Sequence, residues 1–278
     1  MTGHWIKRTF QVVTWLSLDI ALSAAVLSNA VAVLFEVELP WAVSAALFLC
    51  VWMIYTLDHL LDAKKLNQTP TMPRHAFHYR FATRIFIALL IVALFSLGLV
   101  FFLPAITLVY GIVVAGLVGL YILLTWWLKI FIAKEFLISI LYAVGVFIGP
   151  FSCGLVLSEA SWLVFFEIMF LAVINLMLFS MYEQEKDRID GFSSWATIFG
   201  QSRLRQMLRT SFVGMLVLLG MSLAVSLDPM WLVFQCVVLV MIGVLFLLYL
   251  RRNLFYHNEY YRWVGDMIFF FPSVVFLF

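Results

Sequence analysis

An all-α polytopic membrane protein with nine transmembrane helices and a cytoplasmic N-terminus is the fold class predicted by three features of the sequence. Of 278 residues, 65% are hydrophobic and 12% charged, whereas soluble domains are about 45–50% apolar. The apolar residues fall into nine segments near the ~20-residue length that crosses a bilayer as a helix. All basic residues then collect on one side of the arrangement those segments imply.

The first segment, residues 10–35, follows "MTGHWIKR" with no small-residue cleavage site before the next apolar run, which predicts a retained span rather than a removed leader. It ends at Glu36 and Pro40. Further spans are expected over 41–61, 82–103, 105–128, 135–157, 161–182, 208–227, 230–250 and 263–278. The breaks between them carry a charge, a proline or both: Pro104, Lys129 with Lys134, Glu159, and Asp228 with Pro229.

With the N-terminus inside, the inner connections hold all 17 Lys and Arg, from Lys7 and Arg8 to Arg251, Arg252 and Arg262. The outer connections hold only Glu36, Glu38, Glu159 and Asp228. This is the positive-inside asymmetry, and one helix more or fewer would scatter bases over both faces. The pattern places a multi-pass protein in the cytoplasmic membrane. Residues 1–278 are expected to form a single membrane domain, with cytoplasmic cap loops at about 63–81 and 184–207. Loops of that length are usually functional or disordered. The net charge of +2 and the lack of a basic face give no sign of a nucleic-acid partner. Cys50, Cys153 and Cys236 all lie in apolar runs and read as packing residues, not as a disulfide or metal framework.

Two acidic clusters interrupt this pattern. Asp58 and Asp62 in "YTLDHLLDAKK" are spaced i, i+4, so a helix presents both on one face. Glu183 and Asp187 repeat the spacing at the inner end of the sixth span, with Glu185 and Asp190 nearby. One reading is ordinary solvated helix ends paired with Lys64, Lys65, Lys186 or Arg188. The other starts from position. Carboxylates at a helix C-terminus face the negative end of the macrodipole, and charge near the hydrocarbon boundary costs up to a few kcal/mol. A divalent cation compensates both. Hard oxygen donors without a cysteine cluster favour Mg²⁺, which holds few protein carboxylates and completes its shell with water and phosphate. The substrate implied is a phosphate or diphosphate at the membrane surface.

On these residues the chain resembles the UbiA-type intramembrane prenyltransferases, a nine-helix superfamily with aspartate-rich motifs after its second and sixth helices. "YEQEKDRIDGFSSWATIFG", residues 182–200, is similar to the family's second motif and its continuation. The first motif of the family reads Asn-Asp-x-x-Asp-x-x-x-Asp; its last two aspartates fall on Asp58 and Asp62, while Ile54 and Tyr55 occupy the Asn and first Asp positions. Glu183 stands where Asp is usual. In the family's Tyr-x-x-x-Lys, Lys129 matches the lysine and Thr125 replaces the tyrosine.

The resemblance implies a UbiA-like bundle, a prenyl diphosphate bound through Mg²⁺, and transfer of the prenyl group to a lipophilic acceptor among the membrane lipids. Asp58 and Asp62 are expected to hold one Mg²⁺, and Glu183 and Asp187 a second. Lys129 is expected at the diphosphate by family match, and Arg74, Lys186 and Arg188 by charge and location, against the alternative of positive-inside anchors. Asp190 is grouped with the substrate contacts. Asp266 is an intramembrane acid near the inner face, close to Tyr261, suited to positioning an acceptor or acting as a base. Asp19 and Glu167 are expected to bond to neighbouring helices. Residues 69–80, with Arg74, His75 and His78, can close over the site, although loop histidines are more often solvated. Two further readings stay open: an intramembrane terpene cyclase, and a non-catalytic lipid-binding or transport protein.

Overall fold

The computed structural model describes residues 11–65, 70–127 and 134–278, and every regular element among them is helical. The helices are α1 (Leu18–Leu34), α2 (Trp41–Lys65), α3 (Pro73–Leu99), α4 (Ala105–Trp127), α5 (Lys134–Ser152), α6 (Glu159–Asp190), α7 (Trp195–Val225), α8 (Pro229–Leu250), α9 (Arg252–Tyr256) and α10 (Tyr260–Met267). A 3₁₀ segment, Ile268–Leu277, completes the chain. Six of these are long and apolar enough to cross a membrane, and Leu18–Leu34 and Ala105–Leu120 are shorter apolar helices.

The helix ends follow local chemistry. Ser158 and Ser161 form a reciprocal cap at the start of α6, and Ser194 and Thr197 do the same for α7. The Asp228 carboxylate accepts from the Met230 and Trp231 amides, and Pro229 stands where an amide would go unused, so the break read as Asp228 with Pro229 is a helix start. Gly191 closes α6 with φ of 73°, the left-handed conformation that glycine adopts without a Cβ clash.

Two expected boundaries move. The first span is broken: Ser17 sits at φ of 56°, so the helical turns at 11–15 do not run on into α1. The last does not continue as a regular α-helix but passes into 3₁₀ turns after Met267, with Pro272 among them. The stretches expected as loops at 63–81 and 184–207 are also largely helical. α2 runs to Lys65, α3 starts at Pro73, α6 runs to Asp190 and α7 starts at Trp195. Charge there marks the edge of the hydrocarbon and not the end of a helix.

α6 is the axis of the bundle. It packs against α5, α7, α8 and α10, and 78% of its most apolar window is buried. At 32 residues it spans ~48 Å, beyond the ~30 Å of a bilayer core, so its C-terminal turns extend past the apolar slab. α3 is the opposite case, with 11% of its window buried; an apolar helix without a protein neighbour on most faces is one solvated by lipid.

Polar side chains inside the bundle are paired between helices, as a medium without water demands. Ser28 on α1 donates to the Val146 carbonyl of α5 at 2.7 Å, and Asn29 to Ser44 of α2 at 2.7 Å. Glu167 is completely buried and joins three helices: Ser222 of α7 and Gln235 of α8 both donate to its carboxylate. That matches the neighbour-helix bond expected for it. Asp19 instead accepts from the adjacent Ile20 amide.

Glu167→Ala leaves the Ser222 and Gln235 donors without their shared acceptor and is expected to cost about 1–2 kcal/mol. Thermal unfolding in detergent should show the loss, with Glu167→Gln, which keeps an acceptor oxygen, losing less.

Candidate active site

The i, i+4 spacing of Asp58 and Asp62 puts both on the cavity-facing side of α2. The same spacing brings Glu183 and Asp187 to the facing side of α6, so all four carboxylates line one cavity of about 330 Å³. That volume is at the lower end of the range for small-molecule sites. Asp62, Glu183 and Asp187 are buried. Away from the acids the wall turns apolar, with Ile20 of α1, Ile138 and Tyr142 of α5, Ala172, Leu176 and Phe179 of α6, and Phe269 from the C-terminal segment. A charged end joined to an apolar pocket suits an amphiphile.

Glu183 is held firmly. The Arg262 guanidinium of α10 donates from Nε to Oε1 and from Nη2 to Oε2, the latter at 2.7 Å, and the Tyr261 hydroxyl adds a third bond at 2.9 Å. The planar fork of arginine makes such a two-point contact specific. Tyr261 stacks on Tyr182 with centroids 4.3 Å apart, and the Arg262 guanidinium lies 4.8 Å over the Phe179 ring. α10 comes this close to α6 because residue 265 is glycine; a Cβ there would collide with the Asn175 amide and sit 2.8 Å from Phe179 Cε1. One residue on, buried Asp266 accepts from Asn175 Nδ2 at 3.2 Å and also lines the cavity.

Asp190 lines the cavity and also has a structural task. Its carboxylate accepts from the Thr71 amide at 2.9 and 3.0 Å and from the Met72 amide at 3.4 Å. It thereby ties the start of α3 to the end of α6 and delivers Arg74 and His75 to the cavity. Arg74 touches only His75 Nε2, at 3.4 Å, and the Met72 sulfur, and its Nε is buried without a partner. No carboxylate among the described residues forms an ion pair with it.

The expectation of solvated loop histidines fails for the same reason. His75 and His78 are on α3, buried, and packed against buried His59 of α2, with centroid separations of 6.0 and 5.1 Å from His59. His78 Nδ1 bonds the Arg74 carbonyl, while both His59 nitrogens, His75 Nδ1 and His78 Nε2 lack partners.

Two of the expected contacts, Lys186 and Arg188, are not brought to the cavity. Lys186 pairs with Glu259 at 3.0 Å, and Arg188, three-quarters exposed, faces Glu185. Both lie on α6 faces turned from the cavity, because i, i+4 repetition aims only one side of a helix at it. Lys129 lies outside the described residues. Arg262 was missed as a site residue because it reads as one more inner-face base.

The UbiA prenyltransferase family matches residues 20–270. No curated protein matches the sequence. Among solved structures, a UbiA homolog from Archaeoglobus fulgidus bound to DMAPP and Mg²⁺ is similar, at 13% identity and a TM-score of 0.62 over 94% of this chain and 98% of that one. The same homolog bound to GPP and Mg²⁺ matches at 14% identity and 0.62, over 95% and 99%. Bound to Cd²⁺ it matches at 12% identity and 0.63, also over 95% and 99%. At such identities the likeness is one of fold. The family match spans both acidic clusters and Arg262, and the chain belongs to the UbiA prenyltransferase family.

Proposed function

We propose that this protein is an intramembrane prenyltransferase that binds a prenyl diphosphate and transfers its prenyl group to a lipophilic acceptor. The observation that carries the reading is the convergence of the two acidic helix ends, from α2 and α6, on one cavity whose other walls are apolar and aromatic. The archaeal homolog of the same fold is bound to DMAPP or GPP with Mg²⁺, which supports an allylic diphosphate as substrate. The one-sided distribution of Lys and Arg supports nine spans, a cytoplasmic N-terminus and a site opening to the cytoplasm.

The residues fit a Mg²⁺ ion on the α2 side. Among the described residues no three His, Cys, Asp or Glu side chains form a metal-holding group, yet Mg²⁺ needs only one or two carboxylates when water and phosphate oxygens complete its shell. Asp58 and Asp62, one turn apart and both on the cavity wall, would hold it, with Asp187 opposite. When bound, the ion neutralises charge on the diphosphate.

Arg74 approaches the same end of the cavity, in no ion pair among the described residues, and binds the diphosphate directly. As the allylic C–O bond breaks, the diphosphate leaves with the electron pair. Positive charge then develops on the prenyl group beside the Tyr55, Tyr142, Phe179 and Phe269 rings, whose π faces stabilise a cation. The apolar wall excludes water. The acceptor's nucleophilic atom bonds to the allylic carbon and loses its proton, for which Asp266 is a buried carboxylate lining the cavity.

Purified protein in nanodiscs, given C10 to C20 and longer prenyl diphosphates with Mg²⁺, is expected to release diphosphate only when membrane lipid extract supplies an acceptor. Release without extract would assign cyclisation or hydrolysis, and no release in either case a binding role. Asp58→Asn and Asp187→Asn should each abolish Mg²⁺-dependent prenyl diphosphate binding with helicity and expression intact. Loss of a charged hydrogen bond in Arg74→Ala should weaken binding about tenfold or more, whereas Arg188→Ala should stay within about twofold because surface ion pairs contribute little. Parent-like binding in both aspartate variants would defeat the site assignment.

A further inference from the structure

We infer that the Arg262 guanidinium occupies the place of a second divalent cation, so that the site works with a single metal ion. The inference rests on the prenyl-diphosphate reading above and refines how that site balances charge. The α6 carboxylate pair does not suit a metal ion. On the α6 side both Glu183 oxygens are taken by the Arg262 fork, and Tyr261 donates a third bond to the same group. A second ion on Glu183 and Asp187 would have to displace a buried ion pair whose side chains are 9% and 7% exposed.

The fork is built in. Arg262 sits on a helix held against α6 by the glycine contact at residue 265, by the Tyr261–Tyr182 stack and by the Asp266–Asn175 bond. It therefore reaches Glu183 from a fixed platform, and it lines the cavity itself. Removing one partner of such a pair leaves an uncompensated buried charge, so the guanidinium is no casual neighbour.

The sequence changes point the same way: Tyr55 lines the cavity where the resembling motif has its first aspartate, which removes an oxygen donor from the α2 side.

The test counts metal ions in the full-length protein in nanodiscs. Geranyl thiodiphosphate, in which sulfur replaces the bridging oxygen and slows ionisation, serves as ligand, and bound Mn²⁺ is counted by electron paramagnetic resonance. The parent is expected to bind one Mn²⁺ per chain in the ternary complex. At Mn²⁺ equimolar with protein, Arg262→Ala should bind the thiodiphosphate about tenfold or more weakly, with affinity restored by excess Mn²⁺ as the released Glu183 takes up an ion. Arg262→Lys, which keeps the charge, should remain within about threefold of the parent.

Two Mn²⁺ per parent chain overturns the inference and leaves the prenyltransferase reading standing, as does an Arg262→Ala protein that binds like the parent at equimolar Mn²⁺. No thiodiphosphate binding by the parent at any Mn²⁺ concentration overturns both. The parent count needs no variant, so it decides the matter even where Arg262→Ala fails to fold.

Discussion

The buried contact between Arg262 and Glu183 is the interaction on which the rest of this cavity depends. It fastens the last element of the chain to the central helix, and a fork of two hydrogen bonds fixes orientation as well as distance. With α10 fixed, Tyr261 stacks on Tyr182, and Tyr182 in turn donates to the Leu248 carbonyl at the end of α8. One ion pair thus ties α6, α8 and α10 into a single wall. Breaking a buried pair typically costs about 3–5 kcal/mol, a large fraction of the stability of any domain. The wall is therefore rigid where the cavity needs it.

The opposite wall is held by a carboxylate about two turns further along the same helix. Asp190 gathers the amides of Thr71 and Met72, so the start of α3 is docked on α6 at the point where α6 ends. The second acidic cluster hence divides its labour. Glu183 binds an arginine, Asp187 faces the cavity, and Asp190 organises the segment that carries Arg74. Beneath that segment, His59, His75 and His78 leave four buried ring nitrogens without partners. A polar group buried without a partner is costly, and the cost is concentrated beside Arg74, where a bound anion would relieve it.

The six long apolar helices and the two acid clusters were legible in the sequence because each leaves a local signature: a run of about twenty apolar residues, or two carboxylates one helical turn apart. Helix ends were harder. Charged residues such as Lys64, Glu185 and Arg203 mark where lipid stops, and a helix can continue past that line, as α2, α6 and α7 do. The break at Ser17 left no trace because a serine in an apolar run is compatible with a helix or a kink. Least legible was Arg262. Every Lys or Arg between the apolar runs satisfies the positive-inside expectation equally well, and only three-dimensional packing distinguishes the one that turns inward from Arg188, which faces solvent. Glu183 in the usual Asp position was the nearest hint, since a longer acid reaches further toward a partner.

Tyr55 in the first acidic motif and Arg262, which pairs with Glu183 of the second, act in one direction when read in space. Tyr55 removes a carboxylate from the α2 side, and its ring meets His59 edge-on at 6.3 Å. Arg262 neutralises a carboxylate on the α6 side. Each change lowers the negative charge that the cavity presents, and each lowers the number of oxygen donors available to a cation. A site that lost donors without gaining positive charge would bind an anionic substrate poorly at any metal concentration. Tyr55 and Arg262 make electrostatic sense together, as a site that carries part of its positive charge in the polypeptide.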